Sequence, residues 1–148
     1  MKIRKYAQPE FERDCEIIAN NVKRSGQQYD LILALGRGGI PAGTKLAHLL
    51  SLPMYVVNYS LKDSNRGLTM LDLTNQLDSS SRILVVDDIS DSGNTLQEVV
   101  NLLDGWFVHT ATLLFKPQTS RFRPTYLATI HMGDDWVEFF WEEPLIAK

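Results

Sequence analysis

Residues 82–95 read RILVVDDISDSGNT, a pattern that few folds can accommodate. Ile83, Leu84, Val85 and Val86 form a short, wholly apolar run, the mark of a strand buried on both faces of a parallel sheet. The run ends at two carboxylates, Asp87 and Asp88. Residues 91–95 then supply a loop of small residues, rich in hydroxyls and backbone donors. Behind it, Leu96, Val99, Val100 and Leu103 recur at i, i+3, i+4 and i+7, one face of a helix. This order places a helix N-terminus and free N–H groups at the carboxyl end of a parallel strand. Open α/β sheets bind ligands there, and the exposed N–H groups favour an anion. Two adjacent carboxylates suit sugar hydroxyls, or a divalent cation carried by a phosphorylated ligand.

The same arrangement occurs earlier. Leu31–Leu35 is a buried strand that runs into Gly36, Arg37, Gly38, Gly39, Ile40 and Pro41. The helix that follows has Gly43, Leu46, Ala47 and Leu50 on its inner face. The glycines allow close backbone approach to a ligand, and Arg37 offers a guanidinium suited to a diphosphate. The run GGIPAGTK nearly matches a nucleotide-binding P-loop, but Thr44 and Lys45 stand in the reverse order, which excludes it. Residues 9–23 read as an amphipathic helix with Phe11, Cys15, Ile18 and Val22 on one stripe, closed by Gly26. Further strands are expected at residues 54–59, 109–115 and 126–130. Residues 60–81 are polar and irregular, the character of a lid loop.

Composition narrows the function classes. A length of 148 residues suits one domain with a substantial core. The net charge of −3 gives no basic footprint for nucleic acid. No apolar run approaches a membrane span, and the N-terminus lacks the apolar core of a secretory signal. Cys15 is the single cysteine, so no intrachain disulfide forms and a reducing cytoplasm is expected.

Three readings of residues 82–95 compete. Asp, Ser, Asn and Thr are ordinary cap and turn residues, so a plain strand and helix cap is one. The run ILVVDD also looks like the first strand of a phospho-receiver domain, but too few residues follow it for that fold. The third uses every position. A hydrophobic strand, Asp-Asp, two spacers, Asp, Ser, Gly, one residue and Thr resembles the phosphoribosyl-diphosphate (PRPP) motif of the type I phosphoribosyltransferases. The Arg37 loop, the strand-end Lys116, and a tail with Asp134, Asp135, Trp136, Val137 and Glu138 fall in the family's order. The tail is similar to that of the compact xanthine-guanine branch of purine salvage.

This resemblance implies an α/β fold with a central, mostly parallel sheet, a lid at residues 60–81 and a hood at residues 131–148. It implies a transferase that takes PRPP and a 6-oxopurine base, uses Mg²⁺, and assembles as a homodimer or homotetramer. Arg37, Gly38, Asp87, Asp88, Asp91, Ser92, Gly93, Asn94 and Thr95 would bind PRPP, and Asp91 would also be the catalytic base. Lys116 would bond the 6-oxo group, Trp136 would stack on the purine, and the backbone at Val137 would meet its 2-position. Asp88 and Glu142 are the candidate metal ligands. Two positions depart from the family pattern: Ser92 stands for the usual Thr, and Asn94 for Gly, where tolerance of left-handed backbone keeps a turn available. The alternatives are a PRPP-sensing regulator and a transferase for adenine or a pyrimidine.

Overall fold

In the computed structural model, which describes residues 1–58 and 70–142, the apolar runs form strands and the amphipathic stretches cover them. In chain order the elements are β1 (Ile3–Tyr6), α1 (Gln8–Ser25), β2 (Leu31–Leu35), α2 (Ile40–Leu50), β3 (Met54–Val57), α3 (Met70–Gln76), β4 (Arg82–Ser90), α4 (Asn94–Leu102), β5 (Phe107–Phe115), β6 (Tyr126–Ile130) and β7 (Trp136–Phe139). Five strands form a parallel sheet in the order β3-β2-β4-β5-β6. Side chains alternate between its faces. Ile32, Leu84 and Val86 pack on one side with Cys15 and Ile18 of α1 and Leu46 of α2. Leu31, Leu33, Leu35, Ile83 and Val85 pack on the other with Leu73 of α3 and Leu96 and Val99 of α4. Burial of both faces explains why these strands read as unbroken apolar runs.

Helix α1 spans the expected stretch. A proline lies in its first turn, and Gly26 closes it in the left-handed region at φ 73°. Burial pushes the Cys15 thiol up to about 12, so it serves as an inert core residue. Asp14 is fully buried beside it. The Tyr6 hydroxyl donates to Asp14 Oδ2 at 2.6 Å, and Thr129 Oγ1 donates to Oδ1 at 3.1 Å. One carboxylate thereby joins β1, α1 and β6.

Four expectations need correction. Strand β4 does not stop before the acidic pair but continues to Ser90, with Asp87 opposite Thr112 and Ser90 opposite Phe115 on β5. The long partner strand supplies hydrogen bonds that carry the ladder past the carboxylates. Residues 60–81 are not all irregular, because α3 forms within them and buries Met70 and Leu73 against the sheet. The third strand ends at Val57, earlier than expected. Tyr59, Ser60, Lys62 and Arg66, and with them the core of the expected lid, lie outside the described residues. Finally, β1 went unread in the sequence. It pairs in parallel with β7, Ile3 opposite Trp136 and Tyr6 opposite Phe139, as a separate two-stranded sheet.

Candidate active site

The chain leaves β2 toward β3 on one side of the sheet and returns to β4 on the other, so β2 and β4 are neighbours whose connections diverge. A crevice opens at the carboxyl ends of such strands. From β2 comes the glycine loop, whose Gly36–Arg37 peptide is cis. A Cβ on Gly39 would sit 2.5 Å from the Val86 carbonyl oxygen and 2.8 Å from that of Leu35. Only glycine lets the loop fold so tightly against both strands. A Cβ on Gly38 would run into the Asp88 carboxylate. Arg37 is exposed, and with Gly38, Asp88, Trp141 and Glu142 it lines a cavity of about 540 Å³.

Two smaller cavities lie along β4 and the loop that follows it. One, of about 100 Å³, is enclosed by Asp87, Ile89, Ser90, Asp91, Ser92, Gly93, Thr95 and Leu96 at the start of α4. The other, of about 130 Å³, lies between Asp88, Ile89 and Asp91 on β4 and its loop and Trp136, Val137, Phe139 and Glu142 of the hood. Asp88 borders the first and third cavities, and Asp91 borders the second and third. The three cavities are thus linked in series by shared lining, with Asp88 between the first and third and Asp91 between the second and third.

The acidic pair is held by local backbone. The Asp88 N–H donates to Asp87 Oδ1 at 2.8 Å, and the Ile89 N–H donates to Asp88 Oδ1 at 2.7 Å. Both side chains keep some exposed surface toward the groove, yet protein packs closely around them. Burial, and then the charge of Asp88, pushes the Asp87 carboxyl well above the usual carboxylate range. Burial also raises Asp88. Glu142 is raised by burial and by the charge of Asp88. Three crowded carboxyls that resist ionisation suit a divalent cation, which would relieve their repulsion with hard oxygen donors. Among the described residues no cluster of three or more His, Cys, Asp or Glu is placed to enclose an ion. The donor set thus fits Mg²⁺ only if ligand oxygens and water complete the shell.

Gly93 caps α4 in the left-handed region at φ 83°, where a Cβ would lie 2.6 Å from the Phe122 backbone nitrogen. The left-handed position is therefore Gly93. Asn94 is the first helical residue, exposed, and borders none of the three cavities. The departure at Asn94 needs no left-handed tolerance. Ser92 accepts the Asn94 N–H on its hydroxyl at 3.2 Å and is itself backed by the Arg121 N–H, which donates to its carbonyl at 2.9 Å.

Lys116, at the end of β5, is 4% exposed and borders none of the three cavities. Its ammonium donates to Asp91 Oδ2 at 3.3 Å and to the Asp135 carbonyl at 2.8 Å. An ammonium has three protons, so one remains for a further acceptor. Trp136 is 44% exposed at the rim of the third cavity. The other tail aromatics act differently. Trp141 stacks on Phe139 at 4.7 Å and meets Tyr6 and Phe11 edge-on, fastening the hood to β1 and α1. Ile89 and Trp141 line the groove without having been singled out, although both lay inside stretches that were. Their signal was position within a motif, since an isoleucine or tryptophan by itself reads as core.

With this geometry in view, the family model described as "Phosphoribosyl transferase domain" matches residues 5–147. The chain belongs to that family. Among solved structures, a purine phosphoribosyltransferase from Pyrococcus horikoshii Ot3 superposes with a TM-score of 0.82 at 26% identity, covering 100% of both chains. The Helicobacter pylori xanthine-guanine-hypoxanthine phosphoribosyltransferase gives a TM-score of 0.77 at 22% identity over 95% of this chain and 93% of that one, a likeness of fold. Among curated proteins, the Bacillus subtilis (strain 168) purine biosynthesis transcriptional repressor PurR is 26% identical over 99 residues. That match takes in 57% of this chain but only 35% of the repressor, so the chain spans about a third of the length of this curated relative. The five-stranded parallel sheet with flanking helices is the type I phosphoribosyltransferase fold. No helix among the described residues is long and apolar enough to cross a membrane.

Proposed function

We propose that this phosphoribosyl transferase domain protein transfers the phosphoribosyl group of PRPP to a 6-oxopurine, giving a nucleoside 5′-monophosphate and diphosphate. The observation that carries the reading is the three-part groove whose junctions are Asp88 and Asp91. The small cavity at the N-terminus of α4 matches a 5′-phosphate, and the large one beside Arg37 matches a diphosphate. Asp87 lines the small cavity and Asp88 the large one, where they would meet the ribose hydroxyls. The third cavity, under Trp136, takes the base, stacked between the indole and Ile89.

In the reaction the C1′–O bond breaks and its electron pair leaves with the diphosphate, while the purine N9 forms the new bond to C1′. Positive charge gathers on the ribose, as in glycoside chemistry. Arg37 binds the departing diphosphate, and Asp91 accepts or offsets the imidazole proton. Lys116 borders none of the cavities in the ligand-free chain, so its free proton would reach the 6-oxo oxygen by a side-chain shift toward the base, and the backbone at Val137 would meet the 2-position. Asp88, with Glu142, would hold the Mg²⁺ of the PRPP complex, which would supply charge neutralisation on the diphosphate. The hood would exclude water from the ribosyl centre.

Incubating the protein with Mg²⁺, PRPP and guanine, xanthine, hypoxanthine, adenine or uracil, followed by nucleotide chromatography, tests this. Nucleotide from the oxopurines and not from adenine is expected. A preference for adenine or uracil would overturn the substrate assignment. The likeness to a repressor favours a second reading, a PRPP-responsive regulatory protein, for which the outcome would be PRPP binding with no turnover of any base.

A further inference from the structure

The Asp91 carboxylate is gripped from two sides. Lys116 Nζ holds Oδ2 at 3.3 Å. On the other side, the Thr119 hydroxyl lies 2.8 Å from the Asp91 carbonyl oxygen and 3.2 Å from its Oδ1. Thr119 is exposed, but its backbone is fixed: its N–H donates to the Lys116 carbonyl at 3.3 Å, and the next residue's N–H to the same oxygen at 2.9 Å. One turn thus carries both the ammonium and the hydroxyl that bracket Asp91.

The same turn supports the phosphate loop. Ser90 Oγ and Ser120 Oγ are 2.7 Å apart, and both donate to the Phe122 carbonyl, at 2.8 and 3.0 Å. The Arg121 N–H holds the Ser92 carbonyl. Without Thr119, Asp91 would still have Lys116 on one oxygen. A carboxylate pinned at one oxygen, with half its surface in water, keeps torsional freedom about its side-chain bonds.

We propose that Thr119 is the positioning residue for Asp91, its hydroxyl fixing the orientation in which that carboxylate meets the imidazole proton of the base. This rests on Asp91 being the acid–base group of the proposed reaction. A positioned group loses rate steeply when its orientation spreads. A single exposed hydrogen bond to a charged acceptor is modest, however, so the loss is set at roughly 5–20-fold.

The test compares the parent with Thr119→Val, which keeps the shape and removes the donor, and Thr119→Ser, which keeps the donor. Thr119→Ala replaces the valine variant if valine perturbs folding, with circular dichroism as the check. The valine variant is expected to lower kcat roughly 5–20-fold while KM for PRPP stays within about 2-fold, and serine restores kcat to within about 2-fold. In Asp91→Asn, adding Thr119→Val should cost nothing further, because the two residues act as a unit. A valine variant with the parent's kcat, or a further loss in the Asp91→Asn background, overturns the proposal. If the parent turns over no base, the functional reading fails by itself. The positioning claim is then decided by crystal structures of parent and Thr119→Val, and an Asp91 side chain in the same rotamer in both would overturn it.

Discussion

Replacing Gly38 or Gly39 by alanine adds the same methyl group to adjacent residues, and the structure assigns the two changes different consequences. At Gly39 the new Cβ meets two backbone carbonyl oxygens, those of Val86 and Leu35, neither of which can move without distorting a central strand. At Gly38 its nearest neighbours are all atoms at the end of the Asp88 side chain. That carboxylate can swing away, but doing so gives up the hydrogen bond from the Ile89 N–H to Oδ1. The displaced carboxylate also no longer faces the ligand, and a lost hydrogen bond between a ligand and a charged group costs about 1.5–3 kcal/mol of binding. Since each 1.4 kcal/mol is a factor of ten, Gly38→Ala is expected to weaken Mg-PRPP binding by roughly 10- to 150-fold. Because the Ile89 bond is lost in the ligand-free protein too, its thermal midpoint should fall, though by less than that of Gly39→Ala. Gly39→Ala is expected to cost about 1–3 kcal/mol of stability, the usual penalty for forcing atoms into a packed site. Titration calorimetry with Mg-PRPP and thermal unfolding of the two variants separate these effects. A Gly38→Ala protein that binds PRPP like the parent, or melts as early as Gly39→Ala, would refute the reasoning.

Lys116→Met removes the one proton left for a 6-oxo acceptor and leaves Asp91 without its ammonium. The ratio of kcat/KM for guanine over adenine is expected to collapse by up to about 10⁴, and a variant that keeps the parent ratio contradicts the assignment. Asp87 titrates above the ordinary carboxylate range when folded, so its contribution to stability is present at low pH and lost as pH rises through the raised value. In the ligand-free protein, Asp87→Asn should therefore melt about 2–4 °C higher at pH 8, an advantage that fades toward pH 4, while binding Mg-PRPP more weakly. A variant that melts below the parent at pH 8 would show that the charge is not a burden on the fold.

What the sequence displayed best was what period and chemistry record together. Residues 31–41 and 82–96 each join a doubly buried strand to a loop that only glycine or small residues can form, and both were legible as strand–loop–helix units. Gly93 was legible as the glycine of the motif, whereas the left-handed tolerance considered for Asn94 proved unnecessary, because the backbone turns left-handed at Gly93 and Asn94 opens α4. Strand β1 was hidden for a different reason. Its four residues, IRKY, include three polar or aromatic side chains and bury only Tyr6 fully. Its partner lies at the far end of the chain, so no local pattern could announce it. Thr119 was equally silent, since a threonine in a surface turn is common and its target, Asp91, is brought close only by the pairing of β4 with β5.

The pairing of β1 with β7 joins residues roughly 130 positions apart in sequence. The groove thus has two halves of different cooperative rank. The loops at residues 36–41 and 91–95 grow out of β2 and β4, at the centre of a five-stranded sheet with both faces covered. The rim that carries Trp136 hangs on a two-stranded ribbon, an arrangement marginal by itself, fastened by Asp14 and the Tyr6, Phe139 and Trp141 rings. Hydrogen exchange should reach the amides of β1 and β7 by partial opening, at lower free energy than those of β2 and β4. A protein built this way can loosen the part that chooses the base while the part that holds the sugar phosphate stays folded. Substitutions that retune base choice through the ribbon would then leave the stability of the central sheet nearly untouched.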